Sequence, residues 1–157
     1  MGIFNQKVDT VSPDVSLDVN GSNGTNGWYV SQTTVTATGS DSTSGLFETL
    51  LSVDNGAWQS SAILNDGVYN IAVRAVDNAG NTSNSSATIF VDTITPSLNV
   101  SLNGTTGKNG WHISNVEASA VANDVTAGIA FLKFSADGGA YQSYLSPVLF
   151  SDGYHTY

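Results

Sequence analysis

The chain has 157 residues, thirteen Asp and Glu against four Lys and Arg, and no cysteine. A net charge of −9 excludes general nucleic-acid binding and attraction to anionic lipid, both of which need Lys/Arg clusters. The missing cysteine excludes a disulfide framework, thiolate metal sites and a cysteine nucleophile. No apolar run approaches the ~20 residues of a membrane span, so no membrane insertion is expected.

In chain order, residues 1–7 read as a leader or the tail of a preceding repeat; nothing in them resembles a secretion signal. Ile3-Phe4 match Ile89-Phe90, which stand just before the second Val-Asp-Thr. A first unit spans residues 8–91. Val15, Leu17 and Val19 alternate with Ser16, Asp18 and Asn20, so a strand with one buried face is predicted there. Tyr69, Ile71, Val73 and Ala75 repeat the pattern, as do Ala87, Ile89 and Val91. Between these runs lie Gly/Asn/Asp/Ser clusters at 20–27, 39–45, 54–56, 65–67 and 77–84, which supply positive φ and side-chain-bonded turns. No segment combines helical spacing with a cap. The unit is all-β, with about seven short strands, the pattern of a sandwich. Asp66-Gly67-Val68-Tyr69 is its corner into the sixth strand, where the tyrosine hydroxyl can bond upstream backbone.

The unit then repeats. Residues 8–60 align with 91–143 without a gap, with roughly two positions in five identical. Val8-Asp9-Thr10…Pro13 becomes Val91-Asp92-Thr93…Pro96, and Asn26-Gly27-Trp28 becomes Asn109-Gly110-Trp111. Asp54-Asn55-Gly56-Ala57-Trp58-Gln59 becomes Asp137-Gly138-Gly139-Ala140-Tyr141-Gln142, and the corner becomes Asp152-Gly153-Tyr154-His155. Only Thr156 and Tyr157 follow that corner. The second unit, residues 92–157, is therefore read as a sandwich cut short before its last two strands. Its open edge is expected to recruit a strand from another molecule, giving self-association, or to fray.

The Val-Asp-Thr-x-x-Pro openings, Asn-Gly-Trp, the Asp-Gly-x-His/Tyr corners and Asp77-Asn78-Ala79-Gly80-Asn81 together resemble bacterial immunoglobulin-like tandem repeats. The resemblance implies two tandem immunoglobulin-like sandwiches, an extracellular or cell-surface location, and an adhesin or secreted-enzyme accessory setting. It says little about activity, because such modules accompany many functions.

Candidate chemistry is sparse. His112 and His155 stand where the first unit has Tyr29 and Tyr69, so their shared job is structural. Glu48 and Glu117 are the only glutamates and are not equivalent. No catalytic constellation results, and the chain is read as a non-enzyme. The aspartates have two readings. Asp9, Asp41 and Asp77 fall at one pole of the expected sandwich, with Asp92 and Asp124 equivalent to the first two. Two carboxylates 4 Å apart repel by about 1 kcal/mol in water and about 4 at an effective dielectric of 20. Either turn hydrogen bonds absorb this, or calcium does.

The expected function is a spacer in a larger secreted or surface protein, with neighbouring repeats of the same chain as its partners. The short junction at Val91–Pro96 is expected to restrict the units' relative angle. The alternative is a binding module for an extracellular glycan or a host or cell-surface ligand. It would use aromatics private to the second unit, chiefly Phe131, Tyr144 and Phe150. Trp28/Trp111 and Trp58/Tyr141 recur in both units and read first as packing.

Overall fold

The computed structural model describes residues 5–157, so Ile3 and Phe4 lie outside the described residues. The described chain is all-β and divides into two compact units between Ile94 and Thr95. That division falls after Val91 because the next residues belong to the first unit. Asp92 N–H donates to the Tyr29 carbonyl (2.8 Å), Thr93 N–H to Asp66 Oδ1 (2.7 Å), and Ile94 N–H to Asp92 Oδ1 (3.0 Å).

The first unit has β1 (Asp14–Asn20), β2 (Trp28–Tyr29), β3 (Thr33–Ser40), β4 (Leu46–Val53), β5 (Ser61–Leu64), β6 (Gly67–Asp77) and β7 (Thr82–Val91). They form two sheets, β1-β3-β5 and β2-β7-β6-β4. The alternation of apolar residues places Val35, Leu51, Leu64, Ile71, Val73, Ile89 and Val91 in one core, with Val15, Leu17 and Val19 of β1 packed against it. The element not foreseen is β2. It lies directly after a Gly/Asn turn cluster and pairs parallel with β7, Trp28 opposite Phe90 and Tyr29 opposite Val91. Two residues are too few to show a period, so only the tertiary pairing reveals it.

The second unit has β8 (Ser97–Asn103), β9 (Val116–Asn123), β10 (Lys133–Phe134), β11 (Gln142–Ser143) and β12 (Val148–Phe150). Its sheet β8-β9-β12 reproduces β1-β3-β5. Of the opposite sheet, β10 matches only the middle of β4. It pairs with β11 through Phe134 and Gln142, the equivalents of the bridged Leu51 and Gln59.

The turns repeat closely. φ is 53° and 81° at Asn26-Gly27, and 54° and 81° at Asn109-Gly110. At the corners Gly67 has φ 147° and Gly153 has 148°. A Cβ at Gly67 would sit 3.3 Å from the Tyr69 hydroxyl, and one at Gly153 3.0 Å from His155 Nε2. Both the dihedral and the ring folded over the corner therefore demand glycine. Ser52 Oγ and Ser135 Oγ donate to the carbonyls of Gly56 (2.8 Å) and Gly139 (2.7 Å). Asp54 Oδ1 and Asp137 Oδ1 accept from the N–H of Asn70 (2.8 Å) and Thr156 (2.9 Å). Shared residues thus maintain shared turns.

Candidate functional site

Three segments meet at one pole of the first unit: the stretch before β1, the loop after β3, and the β6–β7 turn. They bring one oxygen each of Asp9, Asp41 and Asp77 within 4.8 Å of one another. Asp77 is only 2% exposed. Asp41 Oδ1 accepts three backbone N–H groups, from Thr43 (3.1 Å), Ser44 (2.9 Å) and Gly45 (2.7 Å). Asp9 accepts from Val11 N–H through Oδ1 and from Ser44 N–H through Oδ2, both at 3.0 Å. Asp77 Oδ1 accepts from the N–H of Ala79 (2.9 Å) and Asn81 (2.8 Å), and Oδ2 from Asn81 Nδ2 (2.7 Å). Burial pushes the Asp77 carboxyl up, but the donors of Asn81, Gly80 and Ala79 outweigh it and hold the pKa below its ordinary value.

Two asparagines tie the segments together. Asn81 Nδ2 reaches the carbonyls of Asp9 and Val11, each at 3.2 Å. Asn78 Nδ2 lies 2.9, 3.0 and 3.3 Å from the carbonyls of Ser44, Gly45 and Leu46. The all-oxygen set of carboxylates matches the chemistry of a hard cation such as calcium. Converging N–H dipoles supply the same kind of positive potential.

The other two aspartates are not members of that group. Asp92 is buried in the first unit and accepts from Ile94 N–H. Asp124 repeats the Asp41 loop, accepting from the N–H of Thr126 (3.1 Å) and Gly128 (2.9 Å). Among the described residues, the second unit shows no equivalent of the β6–β7 turn. Among the described residues, Asp9, Asp41 and Asp77 form the one group of three.

The aromatics divide by burial. Phe150 is buried, and Tyr144 is half-buried with its hydroxyl accepting from Ala120 N–H (3.0 Å). Both flank Phe134, with ring centroids 6.4 and 6.1 Å away. Phe131 is 72% exposed, with Lys133 Nζ 4.8 Å from its ring centre. Trp28 packs on Phe90 at 5.4 Å, whereas Trp111 is exposed. Trp58 is covered on one face by the Arg74 guanidinium at 4.8 Å, and that guanidinium also pairs with Glu48 at 2.8 Å. Sequence reasoning missed this trio. Its only signal was a lone arginine, Arg74, on the outward face of β6.

His155 is the second unit's most polarised ring. Nδ1 lies 3.0 Å from Asp137 Oδ2 and Nε2 lies 3.1 Å from the Ser151 carbonyl. Two acceptors favour an N–H on both nitrogens. The Asp137 bond, with help from Ser151, therefore raises the His155 pKa against a partial desolvation that lowers it. The His155 bond and the Thr156 N–H in turn lower the Asp137 pKa. With both ring nitrogens hydrogen-bonded, the imidazole ties the Asp137 turn to the Ser151 carbonyl. It also stacks on Phe150 at 4.8 Å. Tyr69 takes the same place in the first unit, its hydroxyl 3.5 Å from the Asp66 carbonyl, which is a marginal bond.

Residues 25–93 match the family model described as a bacterial Ig-like domain. The match runs from the turn before β2 through β7 and lies within the first unit. No curated protein matches the chain.

Proposed function

Residues 25–93 form a bacterial Ig-like domain, and from that premise we propose that the chain is a non-catalytic spacer segment of a larger secreted or cell-surface protein. One observation carries this reading. The residues shared by the two units, from Asn26-Gly27/Asn109-Gly110 to Asp54/Asp137, are those that set turn dihedrals and close turn hydrogen bonds. What was repeated is architecture. The histidines are consistent with it: one is locked between a carboxylate and a carbonyl, and the other replaces a tyrosine beside Trp111. A module of this kind positions its neighbours by folding, and an acidic surface with few cations keeps it soluble. Among the described residues no helix is long and apolar enough to cross a membrane.

The test has two parts. Antibody against the first unit should label intact cells that make the full protein, and protease added outside should remove the epitope. The purified chain should give no specific retention on a glycan array. Specific retention lost in Phe131→Ala or Trp58→Ala would replace the spacer reading with that of a glycan-binding module.

A further inference from the structure

Asparagine followed two residues on by serine or threonine, with no proline between, is the acceptor pattern for asparagine-linked sugars. It occurs at Asn20, Asn23, Asn81, Asn84, Asn99 and Asn103. A chain rich in these residue types produces the pattern by composition alone, so the surroundings of each asparagine decide. One instance stands at equivalent places in both units. Asn20-Gly21-Ser22 begins at the last residue of β1, and Asn103-Gly104-Thr105 at the last residue of β8. Asn23 and Asn99 have Thr106 and Ser16 at their equivalent places.

Packing fixes the middle glycine. A Cβ at Gly21 would sit 2.5 Å from Thr33 Oγ1, and one at Gly104 3.0 Å from the Asn115 carbonyl. The third residue is held through its backbone alone. Ser22 N–H donates to Ser31 Oγ and its carbonyl accepts from Val30 N–H, both at 2.8 Å. Thr105 makes the same two bonds with Ser114 Oγ and Ile113 N–H, again at 2.8 Å. Those bonds need no hydroxyl, yet a hydroxyl is kept while the residue changes from serine to threonine. Among the described residues, neither hydroxyl has a hydrogen-bond partner, and neither do the side chains of Asn20 and Asn103. Asn20, Ser22, Asn103 and Thr105 are all exposed. Asn20 shares the outward face of β1 with Ser16 and Asp18. The Asn81 amide is the opposite case, because Nδ2 already donates to the carbonyls of Asp9 and Val11 and to Asp77 Oδ2.

We propose that Asn20 and Asn103 are acceptor sites for asparagine-linked glycosylation, one on each unit. The co-reactant is a glycosyl donor whose anomeric carbon carries a phosphate ester of a nucleotide or a polyprenyl lipid. The amide Nδ2 forms the new bond to that carbon and loses one proton. The anomeric carbon–oxygen bond breaks, and the phosphate carrier leaves with the electron pair. Strands β1 and β8 both lie at an edge of their sheets. A sugar at the end of such a strand shields unpaired backbone groups that otherwise template pairing with another chain.

The test uses the protein isolated from the cells that make it, read by glycopeptide mass spectrometry with fragmentation that retains the sugar. The expected result is a sugar mass on Asn20 and on Asn103, and none on Asn81. Ser22→Ala and Thr105→Ala, made in the same cells, should each lose the sugar from the asparagine two residues before. Their melting temperatures without sugar should match that of the sugar-free wild type, because neither hydroxyl is bonded. Ser22→Thr and Thr105→Ser should keep the sugar. Blocking synthesis of lipid-linked sugars removes the mass if the donor is the lipid and leaves it if the donor is the nucleotide; the acceptor sites stand in both cases. Unmodified asparagine at both places would overturn the proposal. So would a sugar on the Ser22 or Thr105 hydroxyl instead, or conversion of Asn20 and Asn103 to aspartate by loss of ammonia at the Asn-Gly bond with no sugar present.

Discussion

Strands β1 and β8 carry nearly the same message and meet different fates. Each alternates apolar with polar residues, and each pairs with its neighbour in the same register. In β1 the apolar set packs on a core, while every residue of β8 is exposed. The difference lies in the layer opposite. A half-buried strand acquires its stability from the sheet that faces it, and among the described residues β6 with β7 supplies that layer to the first unit. The second unit compensates in part with aromatics. Phe134 and Phe150 stand where the first unit buries Leu51 of β4 and Leu64 of β5, and they pack with Tyr144 and His155.

The largest expected effect tests the core. Leu51→Ala should destabilise the first unit by about 2–5 kcal/mol, the range for a fully buried leucine. Phe134→Ala, at the equivalent but half-exposed position, should cost less. Urea titrations followed by unit-resolved NMR signals make the comparison, and equal losses would deny the asymmetry. Amide exchange offers a second reading without mutation. Protection should be highest in β6 and lowest in β8, because local opening follows burial.

Next comes the acidic pole. Asp77→Ala should lower the first unit's melting temperature by more than Asp124→Ala lowers the second's. The former removes a buried hub joining three segments, the latter a single loop cap. Because its donors lower the Asp77 pKa, its contribution is present above the ordinary carboxylate range and is lost as pH falls through the lowered value. A melting series with added calcium and with chelator sharpens the point. A pole closed by N–H donors gives the same melting temperature in both, whereas a rise in calcium that disappears in Asp41→Ala would assign the pole to a cation.

A smaller effect separates the corners. The raised His155 pKa stabilises the second unit below the free-imidazole value, and this is lost as pH rises through the raised one. The lowered Asp137 pKa adds stability above the free-carboxylate value, lost as pH falls through the lowered one. The pair thus contributes most between about pH 4 and 6.5, the two reference values. His155→Tyr, which restores the first unit's residue, should abolish the decline at higher pH in the second unit's unfolding midpoint. An unchanged profile would show that the ion pair does not form. Smallest of all, Arg74→Ala should cost under about 1 kcal/mol, because both partners of its ion pair are about one-third exposed.

Much of this was legible in the residues. The period of two, the turn clusters and the repeated block specify the two sandwich-type units, because each depends on neighbours a few positions apart. The same local logic placed Asp9, Asp41 and Asp77 at one pole once the order of strands was assumed. Tyr144 and Phe150 are ligand candidates only under the alternative binding reading, and the structure packs both against Phe134. Local logic failed for β2, whose two residues form a strand only because β7 lies alongside.

Chain-local chemistry therefore determined the strands, the turns and their duplication. Tertiary structure alone decided which faces became interior, since burial depends on what lies across the sheet. It also brought the three carboxylates of one pole together with the N–H groups of the loops they hold, because those segments are distant in the chain.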